Sequence, residues 1–136
     1  MGYVFAEIKL KNLKDIIKAE EGLLGEPEIR QKTVQALVDT GAGTLVINEE
    51  IRQELGLDLE GEKPVRLANG AREIVKIAGP VEVNWKNRKM ICQPWFIPSA
   101  GEVLLGAIPL EDMDLIVDPA QQALVGAHGD EIVGLL

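Results

Sequence analysis

The sequence predicts a mostly-β domain of barrel or sandwich type with one or two short helices. Three observations lead there. Apolar residues recur with period two in short runs. Gly, Pro and Asn punctuate those runs at close intervals. The helix-like stretches between them are short, one of them only about a single turn. With 136 residues the chain fits one domain, spanning residues 1–136, and neither an internal repeat nor a linker divides it.

The elements follow in order. Val4, Ala6, Ile8 and Leu10 alternate with Phe5, Glu7, Lys9 and Lys11, the pattern of a half-buried strand. Leu13, Ile16 and Ile17 suit a short helix over Asn12–Glu21, broken by Gly22 and by Gly25-Glu26-Pro27. Ile29–Val38 reads as a strand that becomes fully buried at Ala36-Leu37-Val38. Asp39-Thr40-Gly41-Ala42-Gly43 is a turn, and Thr44–Ile47 resumes as a strand. Asn48 is placed to cap a helix running through Leu55, with Gly56 as its stop.

Further along, Pro64–Ala68 and Glu73–Ile77 read as strands about Asn69-Gly70, the strongest short hairpin signal. Val81, Val83 and Trp85 alternate, and Lys86-Asn87 turns them into a strand over Arg88–Ile97. Val103-Leu104-Leu105 is a short buried strand closed by Gly106, and Pro109–Met113 suits about one helical turn. Leu115–Val117 and Ala123–Val125 form a last strand pair. The tail from Gly126 carries Ile132, Val133, Leu135 and Leu136 near its end.

Composition narrows the function. Hydrophobic residues at 46% and charged residues at 26% exclude a disordered chain. Lys and Arg number 14 against 22 Asp and Glu, so the net charge of −8 opposes nucleic acid and anionic membranes as partners. No apolar run is long enough to cross a bilayer, and Met1–Leu10 already carries Glu7 and Lys9, so a cytoplasmic protein without a signal peptide is expected. Cys92 is the only cysteine, which excludes an intrachain disulfide and a Cys-based zinc site and fits a reducing compartment. His128 is the only histidine, so a Ser-His-Asp or Cys-His apparatus has a single candidate base, set in a Gly-rich stretch.

The chemistry concentrates at Asp39. An ionised carboxylate at the end of a buried apolar strand is costly unless hydrogen bonds solvate it. Gly41 supplies a backbone amide, Ala42 keeps the approach open, and Thr40 brings a hydroxyl. Taken alone, Asp-Thr-Gly is more often a turn that caps backbone amides than a reactive centre.

The wider pattern resembles the retropepsin-like aspartic proteases. It runs in order from about Ile29 to Val125: two apolar residues, Asp39-Thr40-Gly41-Ala42, Thr44 with the strand Leu45-Val46-Ile47, the hairpin Ala68-Asn69-Gly70-Ala71, and the apolar-apolar-Gly element Leu104-Leu105-Gly106 with a helix after it. The resemblance implies a retropepsin-like closed acid-protease barrel, with residues 1–28 an N-terminal extension, 29–125 the core and 126–136 a C-terminal tail. It implies that Asp39 is catalytic, that Thr40, Gly41, Ala42 and Thr44 support its loop, and that Ala68–Ala71 form a flap over an extended peptide. Gly106 would let the Leu104-Leu105 strand pass close to the Asp39 loop. The family's chemistry needs two carboxylates sharing one proton. This chain has one Asp-Thr-Gly, so the resemblance implies a homodimer in which each copy lends its Asp39. Neither a metal nor another cofactor is expected.

Two departures stand out. Retroviral members usually carry Arg directly after the apolar-apolar-Gly element, where this chain has Ala107, and that Arg helps their dimer. Ile132-Val133 and Leu135-Leu136 are the candidates for the family's terminal dimer strands. A non-catalytic module that binds peptide or dimerises is therefore the alternative to an endopeptidase. Asp112, Asp114 and Asp118 match no Ca²⁺ loop spacing, so a metal-dependent hydrolase is a weaker third reading. Glu49-Glu50 fits a helix start electrostatically. His128 is expected to be solvated, Cys92 to be a small core or surface residue, and Trp85 and Trp95 to line either the core or a cleft.

Overall fold

Period-two burial builds the first strand and, through it, the centre of the sheet. In the computed structural model, which describes residues 3–134, β1 (Phe5–Asn12) buries Ala6, Ile8, Leu10 and Asn12 and turns Phe5, Glu7 and Lys9 outward. β1 pairs antiparallel with β2 (Gln31–Val38), Phe5 opposite Leu37. Its other edge pairs with β6 (Val81–Trp85), Lys9 opposite Asn84. Residues read as an N-terminal extension thus supply a central strand.

The far half of the sheet is assembled from short pieces. Beyond β2 lies β9 (Val103–Leu105), parallel to it, and β9 pairs antiparallel with β3 (Leu45–Ile47). β3 runs parallel to β8 (Trp95–Phe96), which pairs with β5 (Arg72–Ala78), which pairs with β4 (Leu59–Arg66). On the near side β6 turns through Lys86, at φ +49°, into β7 (Arg88–Cys92). The nine strands lie in the order β4-β5-β8-β3-β9-β2-β1-β6-β7, a curled sheet with β4 and β7 at its two ends. The curl gathers Ile8, Leu10, Leu45, Ile47, Leu55, Val81, Val83, Leu105 and Met113 into one core, each nearly inaccessible to solvent. A separate ladder joins β10 (Leu115–Asp118) to β11 (Ala123–Gly126).

Among the described residues three short α-helices cover the sheet, one more than the upper expectation. Asn12 caps α1 (Leu13–Glu20) by accepting the Asp15 amide at 3.1 Å. Asn48 caps α2 (Glu49–Leu55) by accepting the Ile51 amide at 3.0 Å, and Gly56 ends that helix at φ +62°. α3 (Ala107–Asp112) starts at Gly106.

Two details differ from the sequence reading. The strand expected over Arg88–Ile97 splits at Gln93-Pro94 into β7 and β8, which lie at distant places in the sheet. Pro94 has no amide to donate, and its carbonyl instead accepts the Ala78 amide at 2.9 Å. The Asn69-Gly70 hairpin closes by a three-residue loop, not two: Leu67 donates to Ala71 at 2.8 Å, Gly70 donates to Leu67 at 2.9 Å, and Gly70 takes φ +86°.

Polar clasps fix the periphery. The nearly buried Asp15 carboxylate accepts the Arg30 amide at 3.0 Å, its Nε at 2.8 Å and its Nη2 at 2.9 Å, so the guanidinium holds the Asp15 carboxyl below its ordinary range. At the other end the buried Arg88 donates to the Gly129 carbonyl at 2.6 Å and pins the tail. His128 is not simply solvated. Its ring is half exposed, yet Nδ1 lies 2.7 Å from Asp114 Oδ2, and this bond with the Val133 amide lowers the Asp114 pKa. Ile132 and Val133 belong to no strand, and Leu135-Leu136 lie outside the described residues.

Candidate active site

The candidate site lies where β2 ends. Its geometry follows from β9, which inserts between β2 and β3 so that the turn joining those two strands must cross the end of a third. The Asp39 amide donates to the Leu105 carbonyl at 3.0 Å. Ala42 closes the turn by donating to the Asp39 carbonyl at 3.1 Å. On the far side the first amides of α3 are spent on the same turn: Ala107 donates to Ala42 at 2.8 Å and Ile108 to Gly43 at 3.1 Å. The loop is therefore tied to β9 and α3 by backbone alone.

Gly106 makes that approach possible. A Cβ there would stand within 2.5 Å of the Ala42 carbonyl oxygen and closer still to that of Thr44. Its φ of −91° is open to any residue, so the need for glycine is steric. Thr44 and Leu105 are buried beneath, and Leu104 is half-buried. Leu104-Leu105-Gly106 and Asp39–Thr44 are thus brought together.

The Asp39 side chain is half-buried, while Thr40 and Gly41 are exposed. Asp39 Oδ1 accepts the Gly41 amide at 2.9 Å, and a Cβ on Gly41 would press on that oxygen at 3.2 Å. Among the described residues no other donor and no cation reaches the carboxylate, which leaves Oδ2 open at the protein surface. One face of the loop forms the floor of a cleft of about 330 Å³. Gly41, Ala42 and Gly43 line the floor, Val46, Trp95 and Ile97 a wall, and Lys63, Val65, Leu67, Glu73 and Val75 of the β4–β5 hairpin the roof. The expected flap tip, Ala68–Ala71, is exposed beyond the roof and does not line the cleft.

Trp95 is the residue that sequence could not assign. Trp85 is core, whereas the Trp95 ring packs 3.4 Å from where a Gly43 Cβ would stand and carries the Lys63 ammonium 5.5 Å from its centroid. A larger groove of about 580 Å³ lies elsewhere, along the outer side of β1, and contains none of the Asp39 loop. The described residues form no His, Cys, Asp and Glu group able to hold a metal ion. No helix is long and apolar enough to cross a membrane.

A family model described as aspartyl protease matches residues 26–135. The chain belongs to the aspartyl protease family. That span holds the Asp39 loop, the hairpin and Leu104-Leu105-Gly106, and it leaves out β1, which the fold nonetheless places at the centre of the sheet. The retroviral protease-like domain of Ddi1 from Leishmania major is similar in structure, with a TM-score of 0.58 at 17% identity over 100% of this chain and 95% of that one. This likeness shows the retropepsin-like fold and reaches back over β1. A retropepsin-like aspartic protease from Rickettsia conorii also aligns, with a TM-score of 0.48 at 18% identity over 86% of this chain and 77% of that one. No curated protein matches the chain.

Proposed function

We propose that this family member is an aspartic endopeptidase that acts as a homodimer, with Asp39 of each copy forming the catalytic pair. The observation that carries the reading is the Asp39 loop itself: a carboxylate with one oxygen held by Gly41 and the other open, on a loop clamped by β9 and α3 whose next residues, Gly41, Ala42 and Gly43, floor a cleft that Asp39 itself does not line. A turn aspartate that only caps amides needs neither the clamp nor the cleft.

The mechanism follows from charge. Two carboxylates held close cannot both ionise, so the pair shares one proton and titrates as a unit. The ionised Asp39 takes a proton from a bound water, whose oxygen attacks the peptide carbonyl. The protonated Asp39 donates toward the carbonyl oxygen and, after the tetrahedral intermediate forms, a proton passes to the departing nitrogen. No acyl-enzyme arises. Gly41 positions one oxygen of each carboxylate. The β4–β5 hairpin closes on an extended peptide and excludes water, with Ala68–Ala71 at its tip.

The test is cleavage of an unfolded protein by wild type and by Asp39→Asn, with and without a pepstatin-type inhibitor, alongside the mass in solution. Inhibitable cleavage that the variant lacks, by a dimer, supports the proposal. Equal cleavage by the variant removes the dyad.

One observation favours a second reading, a peptide-binding module without catalysis. Ala107 gives the Asp39 loop a backbone bond but has no side chain able to reach a partner copy. A strict monomer that binds peptide without cutting it is the outcome that selects this reading.

A further inference from the structure

We infer that Lys63, held over Trp95, makes the cleft select a substrate with an acidic side chain beside the Asp39 loop; this rests on the reading of the cleft as a peptide site. The register puts Lys63 opposite Val75 and Val65 opposite Glu73. Val75 is buried, so alternation turns Lys63, Val65 and Glu73 toward the cleft as well. Lys63 lies over the Trp95 ring, and Trp95 in turn packs beside Gly43, four residues from Asp39. The ammonium therefore lies at the end of the roof that meets the wall.

Charge decides what this position accepts. The chain carries a net charge of −8, yet two basic residues, Lys63 and Arg66, line this cleft against one acidic lining residue, Glu73, with the Asp39 carboxylate on the loop beneath. Lys14, Arg30, Lys32 and Arg52 each have a carboxylate partner; Lys63 has none among the described residues. The ring supplies only the negative face of its quadrupole, and that weak partner leaves the ammonium ready to meet a carboxylate from outside. Val46, Val75 and Ile97 line the same cleft, so the neighbouring substrate side chains are apolar. A basic side chain at the same position would bring two cations together over one ring.

The experiment measures binding to the Asp39→Asn protein, which separates selection from chemistry. Short synthetic peptides with an apolar central pair carry Glu, Gln or Lys at each flanking position in turn, and binding is followed by tryptophan fluorescence. At one position the Glu peptide is expected to bind about tenfold more tightly than the Lys peptide. Adding Lys63→Glu reverses that order and Lys63→Met levels it, and raising salt shrinks the preference. Circular dichroism and the thermal midpoint verify that both variants fold; Lys63 is exposed, so little change is expected. Equal binding of the Glu and Lys peptides, a preference that survives Lys63→Glu, or no peptide bound at all overturns the inference. Acid-selective binding by a protein whose wild type cuts nothing upholds the inference and removes the endopeptidase.

Discussion

Asp39 and Leu105 are joined backbone to backbone, the amide of the first donating to the carbonyl of the second at 3.0 Å. Leu105 is wholly buried, so this bond anchors the half-exposed Asp39 to the core. The anchoring requires Gly106 immediately after Leu105, because any side chain there would meet the carbonyls of Ala42 and Thr44.

Gly106→Ala is therefore expected to be strongly destabilising, its methyl group set against two backbone carbonyls of the Asp39 loop. Overpacking against fixed backbone costs about 3 kcal/mol, since neither carbonyl is the end of a flexible side chain. Urea denaturation is expected to show that loss, and peptide cleavage to fall with it. A change within about 0.5 kcal/mol would mean that the loop moves aside freely.

Asp39→Asn has the opposite profile. The Asn oxygen still accepts the Gly41 amide, so stability is expected to stay within about 0.5 kcal/mol of wild type. Cleavage is expected to drop by about a thousandfold or more, because an amide can neither take nor hold the shared proton. Thermal unfolding and a peptide assay on the same sample check both halves.

The Asp15–Arg30 clasp makes stability depend on acid. Arg30 lowers the Asp15 pKa below the usual 3.8, so the folded state favours the carboxylate more than the unfolded state does. The contribution is fully present above 3.8 and is lost as pH falls through the lower, folded value. Asp15→Asn is expected to cost about 2 kcal/mol at neutral pH, with the gap to wild type closing below pH 3.8. A gap that stays constant from neutral pH to strong acid would show that the charge contributes nothing.

How much of this was legible depends on distance along the chain. Asn48 and Gly56 bracket α2 because capping is local chemistry written in adjacent residues. The alternation in β1 and the order of Asp39-Thr40-Gly41-Ala42 and Leu104-Leu105-Gly106 were equally readable. The insertion of β9 between β2 and β3 was not, since no local preference states which distant strand is a neighbour. The same holds for the His128–Asp114 pair and for Trp95 facing the cleft rather than the core. The break at Pro94 did carry a signal, a missing amide donor inside an expected strand.

Cys92 extends the argument to reactivity. Burial, with Asp112 nearby, pushes its thiol up to about 12. At pH 8 only about one molecule in ten thousand then carries the reactive thiolate. Alkylation by iodoacetamide is expected to be slow in the native protein and to accelerate by a hundredfold or more in urea, where the thiol regains its ordinary acidity near 8.5. Inactivation by thiol reagents should accordingly track unfolding rather than precede it. Rapid native labelling that leaves cleavage intact would show instead that β7 opens at the end of the sheet without disturbing the Asp39 loop, which leaves β2 beyond β6 and β1.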